Sequence, residues 1–483
     1  MWMSGFSLSR VARVSFRHAW HASTLQQESL LRLGMSAAVF RPECVIAVDL
    51  GTSATGYCFA LKERDGNGVR VLPFKPGDRS SQATEKNLTA ILLEVGTHRV
   101  VGIGREARRR FYDMGDDEQR RHLFVSQFKM DLSPAHRGHR DLRERVIHGE
   151  GANQPVLLQT AFAMLLAFIR EEAQDRASSI GINFDTVGWV LTVPAIWDDA
   201  AKSFMREAAL HAGLIADIES ERLQLALEPE GAIISSTLDA SADVRAKLCV
   251  GQRLMVLDCG GGTVDVTVSE LLSNDPPRLK EILPPSGGSW GGTKVDAEFR
   301  KFINELVRIQ DSGSEASNAA DSSIMAAAMD AWEGAKCGWN PDDANNRKVV
   351  VGGLAALCEA CGGATAMSER VAQYNKEHDL VGEDAIVYRP RSFSIVLPAS
   401  VVRTFYDGCV TAICGHMQAL LVEAATQRKS VGLVFLVGGF AESIFLQNSI
   451  RAALKTDTGY AAALVVPIKP VQCVNRGAAM CEF

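Results

Sequence analysis

Residues 252–271 read QRLMVLDCGGGTVDVTVSEL, and the stretch Asp258-Cys259-Gly260-Gly261-Gly262-Thr263-Val264-Asp265 inside them decides the fold. The apolar run Leu254–Leu257 leads into an acid, three successive glycines and an alternating β-branched run, which predicts strand, glycine turn, strand. Glycine loses more freedom on ordering than any other residue, so three together need a cause. Close approach of the backbone to a phosphate supplies one, and Asp258 and Asp265 then bracket the turn with charge suited to a cation. A glycine-rich bulge without a ligand is the other reading of the same residues.

The pattern has an echo. Residues 43–61 read ECVIAVDLGTSATGYCFAL, again strand, Asp, x, Gly, small hydroxylated residues, strand. Aligning Asp49 with Asp258 pairs Gly51 with Gly260, and a related element one domain away implies two similar lobes rather than a short-period solenoid. In the first hairpin the amides after Gly51 can form an anion nest and Thr52 and Ser53 can donate to phosphate oxygens. Asp49 can hold the water shell of Mg2+. Alone, an Asp-x-Gly hairpin is more often only a turn. A third element, Leu433-Val434-Phe435-Leu436-Val437-Gly438-Gly439-Phe440-Ala441-Glu442, runs a buried strand into paired glycines and an apparent helix start, a geometry for phosphate or ribose.

The rest of the chain agrees with an α/β class. Strands are expected at Val45–Asp49, Gly56–Leu61, Thr186–Val193, Leu254–Asp258, Val264–Leu271, Ser394–Leu397 and Leu433–Val437. Helices are expected at Val156–Ala173, Ala200–Ala212, Met325–Cys337, Val401–Ala425 and Glu442–Lys455, and Asp311–Ser323 reads as a solvated loop. At 483 residues and 47% hydrophobic the chain can fill several cores, and a net charge of -6 argues against nucleic acid as partner. The apolar run Val156–Ile169 is shorter than the ~20 residues of a membrane span. Eleven cysteines set among apolar residues fit a reducing, cytoplasmic compartment, and the Cys358/Cys361 pair lacks partners for a zinc site.

Residues 1–42 stand apart: Arg10, Arg13 and Arg17 with frequent serines read as a mitochondrial transit peptide or as an extension upstream of a start at Met35. Gly287–Lys294 lacks the order of a P-loop. Gly102-Ile103-Gly104-Arg105-Glu106-Ala107 approximates a dinucleotide fingerprint without its βαβ context.

The three glycine elements, in this order and spacing, resemble the phosphate-1, phosphate-2 and adenosine motifs of the actin, hexokinase and heat-shock ATPase superfamily. Finer features are similar to the heat shock 70 kDa family: Leu191-Thr192-Val193-Pro194-Ala195 before a helix, Leu227-Glu228-Pro229 with Ala232, the second glycine loop Gly287–Asp296, and Trp332-Glu333-Gly334-Ala335-Lys336. Met35, Phe128-Lys129-Met130 and Trp290 resemble its divergent protein 12-like branch. The resemblance runs from about Glu43 to Met480, the extent of a nucleotide-binding domain, with no recognisable substrate-binding domain beyond it.

That resemblance implies a two-lobed actin-like ATPase fold, each lobe a mixed sheet flanked by helices with a smaller subdomain. Lobe I would span 43–243 (upper subdomain about 70–149) and lobe II 251–483 (upper subdomain about 293–388). It implies ATP or ADP with Mg2+ in the cleft, Asp49, Asp258 and Asp265 holding the cation largely through water. Lys129, Glu228, Asp258 and Asp265 would be catalytic. Gly51, Thr52, Ser53, Gly260, Gly261, Gly262, Thr263, Gly291 and Gly292 would cradle phosphates, and Glu333, Lys336, Gly438 and Gly439 the nucleoside. Cys337 and Glu442 stand where the family has arginines and Phe440 where it has a serine, so base recognition should be weakened or altered. The expected function is slow ATP hydrolysis or an ATP-driven switch of chaperone type. A non-catalytic ATP-sensing scaffold and a small-molecule kinase are the alternatives.

Overall fold

The computed structural model describes Phe40 and residues 42–63, 69–77, 86–97, 99–133, 141–239, 241–274, 277–307, 315–343, 347–455 and 462–480. Residues 1–39, read above as an extension, and 481–483 lie outside them. Glu43–Phe483 form one compact unit.

Two sheets in this unit share one topology. In the first, the order is Leu223–Leu227, Val187–Val193, Cys44–Leu50, Ala54–Lys62, Val69–Phe74. In the second it is Ala463–Val465, Leu433–Val437, Arg253–Cys259, Val264–Asn274, Pro277–Gly288. Each has three parallel strands followed by two antiparallel ones, and in each the central strand opens the glycine hairpin. The sequence echo is therefore a duplicated sheet. All seven residues of Cys44–Leu50 are buried, as a strand covered on both faces requires of an unbroken apolar run. Asp49 and Asp258 sit at the C-terminal ends of the two central strands, which is where ligands meet α/β sheets.

Helices cover the outer faces. Phe162 of helix Leu158–Ser179 meets Phe128 and Phe204 edge-on at 5.0 and 5.4 Å in the first core. In the second, Phe299 and Trp332 stack at 4.5 Å, packed with Phe405. Smaller sheets stand on each: Val100–Ile103, Ala90–Glu94, His122–Ser126 and Glu150–Gly151 on the first, and Val349–Val351, Ser394–Leu397 and Val387–Arg389 on the second.

Between the main sheets two helices change sides. Glu228–Leu238 follows a strand of the first sheet yet buries Ala232 and Ile233 against Leu254, Val256, Leu433 and Phe435 of the second. Cys473–Met480 follows the second sheet and buries Ala478 and Ala479 against Val45, Ala47 and Val190 of the first. The helices touch through backbone: a Cβ on Gly477 would lie 1.8 Å from the Gly231 carbonyl oxygen, so only glycine fits.

Three expectations change. Asp311–Ser323 is not all loop, because a helix runs from Glu315 to Lys336 and only 311–314 fall outside the described residues. Once the amphipathic Met325–Cys337 segment nucleates, extending a helix through Ala and Ser residues costs little. Gly438-Gly439 lead into a single 3-10 turn, Phe440–Glu442, and the α-helix starts only at Ile444. Among the described residues one helix, Ala399–Thr426 at 28 residues, is long and apolar enough to cross a membrane by length and composition. Its Val402, Phe405, Ile413, Met417 and Leu421 are buried in the second core, which accounts for its composition.

Candidate nucleotide site

The two glycine hairpins face each other. A Cβ on Gly261 would lie 2.1 Å from Ser53 Oγ, and one on Gly262 2.5 Å from Thr52 Cγ2. Neither glycine has a positive φ, so lack of space and not backbone conformation excludes side chains here. The loop of Gly291 and Gly292 closes on the same hairpin. Their amides donate to the Gly262 and Gly260 carbonyls at 3.3 and 3.1 Å, and Thr293 N and Oγ1 donate to Gly261 O at 2.8 and 2.9 Å. Gly291 and Gly292 thus shape the turn with amides that already have partners. Gly438 has φ +91°, and a Cβ there would lie 2.5 Å from Asp258 Oδ1. Gly439 follows it, with Val471 as its nearest neighbour across the turn.

Behind the hairpins sit the charged groups. Lys129 lies in the 3-10 turn Phe128–Leu132 and Glu228 opens the helix after it, 99 residues on, with Pro229 in its first turn. The lysine donates to Glu228 Oε1 at 2.9 Å and lies 5.3 Å from the centre of the Trp197 ring, both charged side chains being under a tenth exposed. Asp49, 5% exposed, accepts from Thr192 Oγ1 at 3.3 Å and from Lys86 Nζ at 2.5 Å. Asp258 pairs across the second hairpin with Asp265, whose Oδ2 accepts from Thr263 Oγ1 at 3.1 Å. Both acids are half-buried.

This crowding sets the protonation states. Burial opposes charge on Lys129, but Glu228, Asp49 and Asp265 outweigh it and hold the lysine protonated. Burial pushes Glu228 up to about 7, helped by Asp49 and Asp265 and opposed by Lys129. Asp258 is driven far above the usual carboxylate range by burial and by Glu228, Asp265 and Asp49 around it. Asp265 is raised by burial against Thr263 and Lys129. Asp49 alone is held low, because Lys86 and Lys129 overcome its burial. Four carboxylates against two lysines leave a formal deficit of two positive charges.

The residues fit a hydrated Mg2+ and a phosphate chain. Among the described residues no three acids, cysteines or histidines converge as a direct cage. Ser53 Oγ is buried between the hairpins without a hydrogen-bond partner, an orphan that a phosphate oxygen would satisfy. Asp49, Asp258 and Asp265 would hold the cation's waters, and Ser53, Thr52 and Thr263 the phosphates.

The nucleoside side is built differently. Glu333 Oε1 accepts from Arg105 at 2.8 Å, with Arg108 at 3.6 Å from its other oxygen and also paired to Asp330. Lys336 is paired to Asp296, which accepts from Trp332 Nε1 at 3.0 Å as well. Cys337 is exposed, its Sγ donating to Glu333 O at 3.1 Å. Glu333 and Lys336, expected at the nucleoside, therefore already have protein partners. Sequence reading missed Lys86, Thr192, Trp197, Arg105, Arg108 and Asp296. Arg105 lay inside a glycine stretch tested only as a dinucleotide fingerprint, and an isolated Lys86 gives no signal of its own.

Two duplicated sheets meeting at facing glycine hairpins, with charged side chains sealed behind them, make this a two-lobed, actin-like ATPase fold. Human heat shock 70 kDa protein 12B is 30% identical over 476 residues, covering 85% of this chain and 64% of the relative. Human heat shock 70 kDa protein 12A is 26% identical over 494 residues, covering 90% and 69%. A chaperone protein HscA homolog of Cupriavidus taiwanensis is 30% identical over 198 residues, covering 38% and 28%. No protein-family model matches the chain. The chain is similar to members of the heat shock 70 kDa family, above all to its divergent 12A and 12B proteins, and spans 64% and 69% of the length of the first two relatives.

Proposed function

We propose that the chain binds ATP with Mg2+ between its lobes and hydrolyses it slowly to ADP and phosphate, as an ATP-driven conformational switch of chaperone type. The observation that carries this is the buried pair of Lys129 and Glu228 at 2.9 Å, with buried Asp49 and half-buried Asp258 and Asp265 beside it at two facing glycine hairpins. The bound cation would neutralise phosphate charge. Lys129, kept protonated by its acids, holds a positive charge where the transferring group gathers negative charge. Glu228, raised to about 7, accepts a proton from water near neutrality and returns it as the site resets.

The test is ATP binding and hydrolysis with Asp258→Asn and Lys129→Ala. Each should lower turnover at least tenfold, and unchanged hydrolysis in both would sink the assignment. A second reading, an ATP sensor without turnover, is favoured by Glu333 and Lys336 being engaged by protein partners. Tight ATP binding with no phosphate release over many hours would select it.

A further inference from the structure

Lys86 has no place in the reading above, yet it is not built like a surface lysine. Its ammonium lies 2.5 Å from Asp49 Oδ2, and the two side chains are 14% and 6% exposed. The backbone that carries it is bolted to the first glycine hairpin. Asn87 and Leu88 pair with Thr55 and Ala54, the Thr89 hydroxyl donates to Gly51 O at 2.6 Å, and Thr89 N donates to Ser53 O at 2.9 Å. The next side chain, Asn87, is locked in turn: Nδ2 donates to Pro76 O at 2.8 Å and Oδ1 accepts from Leu88 N and Arg105 N at 2.9 and 3.0 Å. Lys86 thus carries its ammonium on an anchored backbone, at the strand end where Ser53 Oγ stands buried without a partner.

Resting on the nucleotide reading, we propose that Lys86 is a phosphate-binding residue of this chain, which lets it hold a nucleotide polyphosphate with a weakened need for a divalent cation. The physical reason is charge. A triphosphate entering beside four carboxylates needs positive charge from somewhere, and a divalent ion is its usual source. Lys129, assigned above to the transferring group, shares its charge with Glu228 at 2.9 Å and does not offset four carboxylates alone. Lys86, on a flexible four-carbon stem, can share its three donors between Asp49 and a phosphate oxygen. With no metal present it then supplies charge-assisted hydrogen bonds that the cation would otherwise make unnecessary.

The experiment is calorimetric titration with ATP, in excess Mg2+ and in excess EDTA, for wild type, Lys86→Gln and Lys86→Arg. Glutamine keeps a hydrogen bond to Asp49 and removes the charge; arginine keeps the charge. Wild-type affinity should fall less than about tenfold on removing Mg2+, while Lys86→Gln should lose a further ~10- to 100-fold in EDTA and only a few-fold in Mg2+. Lys86→Arg should recover the metal-free affinity. A lysine that merely neutralises Asp49 would lower Tm in Lys86→Gln and leave the ratio of the two affinities at its wild-type value, and that result overturns the proposal. Wild type that binds ATP only with Mg2+ overturns it too, while the nucleotide reading survives. Wild type that binds ATP under neither condition overturns both.

Discussion

Gly261→Ala puts the facing hairpins to a direct test. Gly261 does not occupy the left-handed region, so alanine is acceptable to the backbone and the whole effect is steric. Its new methyl carbon would lie 2.1 Å from Ser53 Oγ and 2.4 Å from Ser53 Cβ, against an ordinary contact of 3.4 Å or more. The clashing atoms belong to hairpins of different lobes, so relief requires the hairpins to part by about 1 Å, a displacement that can cost ~100-fold at a reacting centre. That corresponds to about 3 kcal/mol of binding and transition-state stabilisation together. Each lobe's core stays intact, so Tm should change by no more than a few degrees. Gly260→Ala should lose less, because the nearest atom to its methyl is Thr263 O of its own hairpin at 3.2 Å and nothing of the other lobe is wedged. The assay is ATP binding by calorimetry with single-turnover hydrolysis. If Gly261→Ala binds and turns over ATP within about threefold of wild type, the wedge argument is wrong.

Other consequences follow from the same geometry. Glu228, Asp258 and Asp265 are raised in the folded protein, so their contribution to stability is full below the normal carboxylate range and is lost as pH rises through their folded pKa values. Thermal unfolding of ligand-free protein should show a loss from pH 5 to pH 8 of order 3 kcal/mol from Glu228 alone, with lowered His416 opposing it, and Mg-ATP should flatten the curve; a rising Tm would contradict the charge cluster. Asp49, held low, adds nothing variable in that window. Replacing Arg105 and Arg108 together with alanine removes the partly exposed contacts to Asp330 and Glu333, worth about 1–2 kcal/mol in all, and should speed nucleotide release roughly five- to twenty-fold in stopped flow. Unaltered release would mean those pairs do not hold the cleft. Trp332→Ala opens the stack with Phe299 and should cost about 3–5 kcal/mol in denaturant unfolding.

Local chemistry was enough to read the sheets and the hairpins. An unbroken apolar run ending in Asp and glycine can satisfy its backbone only as a buried strand and tight turn, and repeating it as 43–61 and 252–271 sets two such units in one chain. The helical period likewise placed helices at Val401–Ala425 and Met325–Cys337, where the structure has Ala399–Thr426 and the longer Glu315–Lys336. Lys129 and Glu228 were named only through a family resemblance, since nothing local joins residues 99 apart. Tertiary structure decided the rest. It brought Gly231 against Gly477, so that each lobe's sheet is covered by a helix following the other. It turned Gly261 and Gly262 from a general signal of close approach into a specific contact with Ser53 and Thr52. It also set Lys86 on Asp49 and drew Glu333 toward Arg105 and Arg108. Propensity and periodicity act over a few residues and fix which elements form. Pairing of charges and exclusion of side chains depend on distances between elements, and those exist only once the chain has packed.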